Sequence, residues 1–171
     1  MKPFPASRTF TRDGMLTHDA RMWFDGAGWQ LVERWEHSAD VSEVDFTGFE
    51  GADDLMLWVR EMTISTVDTR NVRVRVRGAA AFMNASGDYQ AVNEDGVESD
   101  TTSIQVQLEA TTSARSGVAM LQGLRSARPM AFSPNRARAW FIETEEEIVA
   151  LRLYAGGSGL IQSGSATLFA R

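Results

Sequence analysis

Arg73, Arg75 and Arg77 alternate with Val72, Val74 and Val76 in the segment NVRVRVR. At the two-residue period of a strand, the three guanidiniums share one face and the three valines the other. A guanidinium offers a planar fork of N–H donors, so such a stripe can meet phosphate, an anionic sugar or an acidic partner. It can equally pair with carboxylates on neighbouring strands and guard the sheet face against aggregation.

The acidic residues gather in two places, Glu143, Glu145, Glu146 and Glu147, and Glu94, Asp95, Glu98 and Asp100. Calcium takes about six to eight such oxygens, but the second cluster lacks the D-x-[DN]-x-[DN]-G order of an EF-hand loop. A solvated acidic loop is expected. Glycoside hydrolysis needs two carboxyl groups about 5–9 Å apart. Asp53 with Asp54, and Glu94 with Asp95, are adjacent in sequence, which does not put them in that arrangement. His18 and His37 are the two histidines, and there is no cysteine. That is thin material for acid–base, nucleophilic or metal chemistry. Gly156-Gly157-Ser158-Gly159-Leu160 reads as a turn rather than a nucleophile elbow. A protein without catalytic residues, metal or cofactor is expected.

A hydrophobic fraction of 43% is that of a folded domain, and a net charge of −6 argues against a nucleic-acid backbone as partner. No apolar run approaches the roughly 20 residues of a membrane helix. The opening MKPFPASRTFTRDGM lacks the apolar core of a secretory signal, roughly 7–15 residues. Synthesis in a cytoplasm, without membrane insertion, is therefore expected.

The elements that must position these groups read as strands. WQLVERWEH places Trp29, Leu31 and Trp35 on one face, interrupted by Glu33. DLMLWVREMTI is apolar enough for a strand covered on both faces or a helical turn; the abrupt start at Gly51 and Asp53-Asp54 favours the strand, with Trp58 in the core. TTSIQVQLEA turns Ile104, Val106 and Leu108 inward and Gln105, Gln107 and Glu109 outward. GVAMLQGL, ARAWFIE (with Trp140 in the core) and EIVALRLY follow. The last pair, EIVALRLY and GLIQSGSATLF around the glycine cluster, reads as a hairpin that closes the fold with a paired C-terminal edge. Residues 48–52, 85–101, 111–117 and 126–136 read as loops; 85–101 is the longest and most polar, where binding on a sandwich usually sits. Eight to ten short strands without intervening helices predict an all-β, antiparallel, jelly-roll-like sandwich.

Residues 1–28 are of another kind. Pro3 and Pro5 forbid regular structure at the start, and Phe4, Phe10, Met15, Leu16, Met22, Trp23 and Phe24 follow no period of 2 or 3.6. A short helix over residues 17–23 is possible. So many large apolar groups require a surface, either their own domain or another subunit or larger assembly. Trp23, Trp29 and Trp35 fall at the junction, where aromatics suit an interface.

The order of pieces in residues 29–171 resembles a β-sandwich domain of tailed-bacteriophage virion and tail-fibre proteins. It runs from Trp29-Gln30-Leu31-Val32 through Asp45-Phe46-Thr47-Gly48 and Leu55-Met56-Leu57-Trp58-Val59 to the alternating strand from Val72 to Arg77. Phe82 and Ser86-Gly87-Asp88-Tyr89 come next, then the strand ending at Tyr154, Gly159-Leu160-Ile161-Gln162-Ser163-Gly164 and Thr167-Leu168-Phe169. The chain departs from the pattern in ending Phe169-Ala170-Arg171 rather than Tyr-Gly, and in having Gly78-Ala79-Ala80-Ala81 where glycines are usual.

The resemblance implies a non-enzymatic virion protein of fibre, spike or tail-tip type, a host-attachment module with residues 1–28 as its anchoring arm and 29–171 as its sandwich. Other virion proteins, sister subunits (three-fold assembly favoured) and a host surface glycan are the partners it implies, with no catalytic residues to carry over. Asp88, Tyr89, Asn93, Glu94 and Asp95 are the receptor-facing candidates. A capsid-decorating protein and a carbohydrate-binding module are the alternatives.

Overall fold

The computed structural model describes residues 28–65, 71–93, 96–108, 114–134 and 138–171. The anchoring candidates Phe4, Phe10, Met15, Leu16, Met22, Trp23 and Phe24 lie outside the described residues, as do the possible helix at 17–23, Glu94 and Asp95.

The described residues form twelve strands: β1 (Gln30–Glu36), β2 (Glu43–Phe46), β3 (Leu55–Ile64), β4 (Asn71–Arg77), β5 (Tyr89–Asn93), β6 (Gly96–Thr101), β7 (Ile104–Leu108), β8 (Arg115–Gln122), β9 (Met130–Ser133), β10 (Arg138–Ile142), β11 (Ala150–Ala155) and β12 (Ile161–Ala170). They make an eight-stranded sheet, β1-β12-β3-β8-β9-β10-β5-β6, and a four-stranded sheet, β2-β11-β4-β7. Every strand pairing is antiparallel. The fold is the all-β sandwich that the alternating segments predict, and the described residues contain no α-helix.

The core lies between the sheets. Leu55, Leu57 and Val59 of β3, Leu168 of β12 and Trp140 of β10 meet Val72, Val74 and Val76 of β4 and Leu151 and Leu153 of β11. Each of these side chains is fully or almost fully buried. The valine–arginine alternation of β4 holds as read: the valines are inside and the arginines half-exposed.

Four expectations are corrected. First, β11 and β12 do not form a hairpin: β11 pairs with β2 and β4, whereas β12 lies between β1 and β3 in the other sheet. The glycine cluster carries the chain across the sandwich, with Gly157 at φ 70°, and the C-terminal strand is internal. Alternation is the same for two strands of one hairpin and for two strands on opposite sides of a core, so periodicity does not separate them.

Second, the span 85–101 is largely the β5–β6 hairpin, and β9 lies within 126–136. Third, Trp29, Leu31 and Trp35 do not share a surface. A bulge between Leu31 and Glu33 shifts the register, so Trp29 and Leu31 join a second cluster while Trp35 packs on the main core. Fourth, Trp58 leaves the core for that second cluster, whereas Trp140 is in the core as expected.

Candidate functional site

The predicted arginine stripe lands at the centre of the four-stranded sheet. With the valines of β4 and the leucines of β11 facing the core, Arg73, Arg75, Arg77, Arg152 and Tyr154 are directed to the outer face. Cross-strand register puts Arg75 directly opposite Arg152 and Arg73 opposite Tyr154. Like charges directly opposite one another are unfavourable, and the two arginines turn to different partners. Arg152 reaches toward β2, its Nε 2.6 Å from Asp45 Oδ1 and its Nη2 2.7 Å from Oδ2, with Nη1 2.8 Å from Glu43. The bond to Asp45 raises the Arg152 pKa above its ordinary value. Arg75 Nε donates to the Thr102 carbonyl at 3.1 Å, and its guanidinium lies 4.6 Å from the Tyr154 ring centre.

Phe82, bridged to the end of β4 at Arg77, completes the face. The Arg152 guanidinium is 3.9 Å and that of Arg77 5.6 Å from its ring centre. Glu43 and Asp45 are thus engaged with Arg152, and among the described residues no carboxylate forms a salt bridge with Arg73, Arg75 or Arg77. Arg73 Nε, Arg77 Nε and the Tyr154 hydroxyl are buried without a hydrogen-bond partner. Arg152, Tyr154 and Phe82 were not singled out from the sequence as part of this site. The alternation Leu151-Arg152-Leu153-Tyr154 was the signal that could have found the first two.

On the outer face of the eight-stranded sheet, register aligns Leu31, Phe169, Met56, Met120 and Phe132 across β1, β12, β3, β8 and β9. Five adjacent strands at about 4.8 Å spacing make an apolar band about 19 Å across. Trp29, Trp58 and Val118 flank it, and Phe132 at its far end is 39% exposed. Trp29, Met56 and Phe169 are buried in this second cluster, so β3 is covered on both faces as its doubly apolar sequence predicts.

A polar cleft of about 500 Å³ opens where β1, β3 and β12 bulge, lined by Arg34, Glu36, His37, Arg60, Glu61, Ser163, Gly164 and Ser165. Glu61 has φ 49°, and its carbonyl accepts a bond from Ser163 Oγ at 3.0 Å. His37 Nε2 lies 3.2 Å from Asp40 Oδ1. No serine is hydrogen-bonded to His37 among the described contacts, so the geometry of a nucleophilic triad is not assembled there.

The predicted receptor-facing set is broken up. Tyr89 is fully buried in the core; its hydroxyl accepts from the Val76 N–H at 2.9 Å and donates to the Met83 carbonyl at 3.3 Å. Its inward position follows from the strand register of β5, which turns Tyr89 and Ala91 to the core. Asp88 is half-buried and closes its turn, Oδ2 accepting from the Ala85 N–H at 2.7 Å. Asn93 ends β5. Of the other acidic cluster, Glu143 pairs with Arg128 and Glu146 accepts from the Ala79 N–H. Among the described residues no three carboxylate or histidine side chains gather as a metal cluster, and no helix is long and apolar enough to cross a membrane.

No protein-family model and no curated protein matches the chain. Among solved structures it is similar to the galectin LEC-6 of Caenorhabditis elegans. The identity is 11% over 79% of this chain and 94% of that one, with a TM-score of 0.42.

Proposed function

We propose that this chain is a non-enzymatic structural protein of a tailed-phage particle, of fibre, spike or tail-tip type. Residues 1–28 anchor it in the virion, and the sandwich serves host attachment. The observation that supports this reading is the apolar band of Leu31, Phe169, Met56, Met120 and Phe132 on the outer sheet face. It begins beside Trp29, where the anchoring segment joins the sandwich. Phe169 and Met56 are buried, and Phe132 at the end of the band, 39% exposed, offers the apolar surface for a contact between subunits, where aromatic side chains are favoured. The order of motifs from Trp29 to Phe169 supplies the phage setting, and three-fold assembly follows by analogy with fibres. Many copies on one particle turn weak individual contacts into strong attachment.

Light scattering after size-exclusion chromatography tests the assembly. The full chain is expected as a trimer, and Phe132→Asp, at an exposed position, as a monomer with an unchanged melting temperature. Deleting residues 1–24 is expected to leave a folded domain that no longer joins particles. A monomeric full chain, together with normal incorporation of the truncated one, contradicts the reading. Labelling the protein on intact particles separates a tail position from capsid decoration.

A further inference from the structure

We propose that the outer face of the four-stranded sheet binds an acidic saccharide, whose oxyanion groups are received by Arg73, Arg75 and Arg77. The assignment does not depend on the phage reading, because it rests on the geometry of this face alone. Arg152 holds both nearby carboxylates, Asp45 and Glu43, and so leaves the three arginines of β4 with positive charge and no acidic partner among the described residues. A chain with a net charge of −6 nevertheless concentrates guanidiniums here, with Arg75 facing Arg152 across the ladder. Arg152 is neutralised by its two carboxylates, so the positive charge left on this face is that of the three β4 arginines.

The guanidiniums are held in place. Arg75 lies over Tyr154, and Arg77 and Arg152 over Phe82. Stacking fixes the plane of a guanidinium and leaves its N–H edge for a bidentate oxyanion. Arg73 Nε, Arg77 Nε and the Tyr154 hydroxyl are buried and take no part in receiving the ligand. Alternate residues along a strand are about 6.7 Å apart, so the site is a ladder of oxyanion receptors rather than a single pocket.

The chemistry of the face narrows the ligand. Both edges of β4 are already hydrogen-bonded, to β11 and to β7, so a peptide cannot add as a strand. Phe82 and Tyr154 lie under the protein's own guanidiniums, which removes them as platforms for stacking bases. A sequence pI of about 4.9 is far from the basic character of a nucleic-acid-binding domain. A saccharide with acidic groups among its hydroxyls fits a flat face of arginines bordered by Gln105 of β7.

Biolayer interferometry with the full chain tests this on immobilised polygalacturonate, dextran sulfate, neutral dextran, poly-L-glutamate and oligo(dT). Binding is expected to polygalacturonate, to dextran sulfate or to both, which separates carboxylate from sulfate as the recognised group, and not to neutral dextran. Arg73→Gln with Arg77→Gln is expected to weaken it at least tenfold. The charge-conserving Arg73→Lys with Arg77→Lys should weaken it several-fold by removing the fork. Arg128→Gln, in the β8–β9 connection, should stay within twofold. Melting curves identify any variant that fails to fold, and the lysine pair then carries the comparison. Failure of both anionic polysaccharides to bind overturns the proposal, as does unchanged binding by folded variants. Equal or tighter binding to poly-L-glutamate or oligo(dT) reassigns the face to an acidic protein or to nucleic acid and also overturns it.

Discussion

Tyr89 was expected at a binding surface and is instead a hydrogen-bonded strut between β5 and β4. Its hydroxyl accepts from the Val76 N–H and donates to the Met83 carbonyl. Tyr89→Phe leaves that buried N–H without an acceptor, and a loss of about 1–3 kcal/mol is expected in urea denaturation. Burial raises the Tyr89 pKa above its ordinary value of 10.0, although the Val76 bond acts the other way. The folded protein therefore keeps this proton where the unfolded chain releases it. The resulting stability is complete below pH 10 and declines as the pH rises beyond it, because ionisation then favours the unfolded chain. In a Tyr154→Phe variant Tyr89 is the single tyrosine, and its phenolate absorbance should appear only together with loss of the folded circular dichroism signal. Phenolate formation near pH 10 in folded protein contradicts this. Gly164, at φ 104°, is a second sensitive position. A Cβ there would lie 2.6 Å from the Arg60 carbonyl oxygen and 2.7 Å from Met62 Cα. Gly164→Ala is expected to cost more than about 1 kcal/mol by the same measurement, since both strain and backbone overlap oppose it.

Strands with a strict two-residue alternation were legible, and β4 is the clearest: a one-residue slip would bury three arginines, so only one register is tenable. β1 shows the limit of that rule. Its bulge inserts one residue, so a face counted from Trp29 no longer holds at Trp35. The short β9 and the hairpin β5–β6 were hidden because their polar or weakly alternating residues look like loop; their strand character comes from the neighbours they pair with. The β11–β12 connection gives a test at this scale. A tight Asn-Gly turn stabilises a hairpin, but the segment here must cross between sheets that pack about 10 Å apart. Replacing residues 156–160 by Asn-Gly is therefore expected to lower the melting temperature or prevent folding. An increase would restore the hairpin.

One core joins the two sheets. Leu57 of β3 and Leu151 of β11 belong to different sheets and to the same buried cluster. Leu57→Ala and Leu151→Ala are each expected to cost about 2–5 kcal/mol. Each should shift one common unfolding transition, seen alike by fluorescence and circular dichroism, as a single cooperative unit requires. Two separated transitions would mean that the sheets unfold independently. At the same scale the molecule divides its outer surfaces by chemistry, an apolar band on the eight-stranded sheet and an arginine–aromatic face on the four-stranded one.

The sequence by itself determined that the chain folds as antiparallel strands about a valine- and leucine-lined core, and that Arg73, Arg75 and Arg77 face away from it. Those follow from local periodicity, which each strand carries within its own residues. Only the tertiary structure decided which strands share a sheet, that Arg152 and not β4 takes Asp45 and Glu43, and that Tyr89 lies inside. These depend on pairing between residues far apart in the chain, and inward-facing side chains look alike whichever of the two sheets they come from.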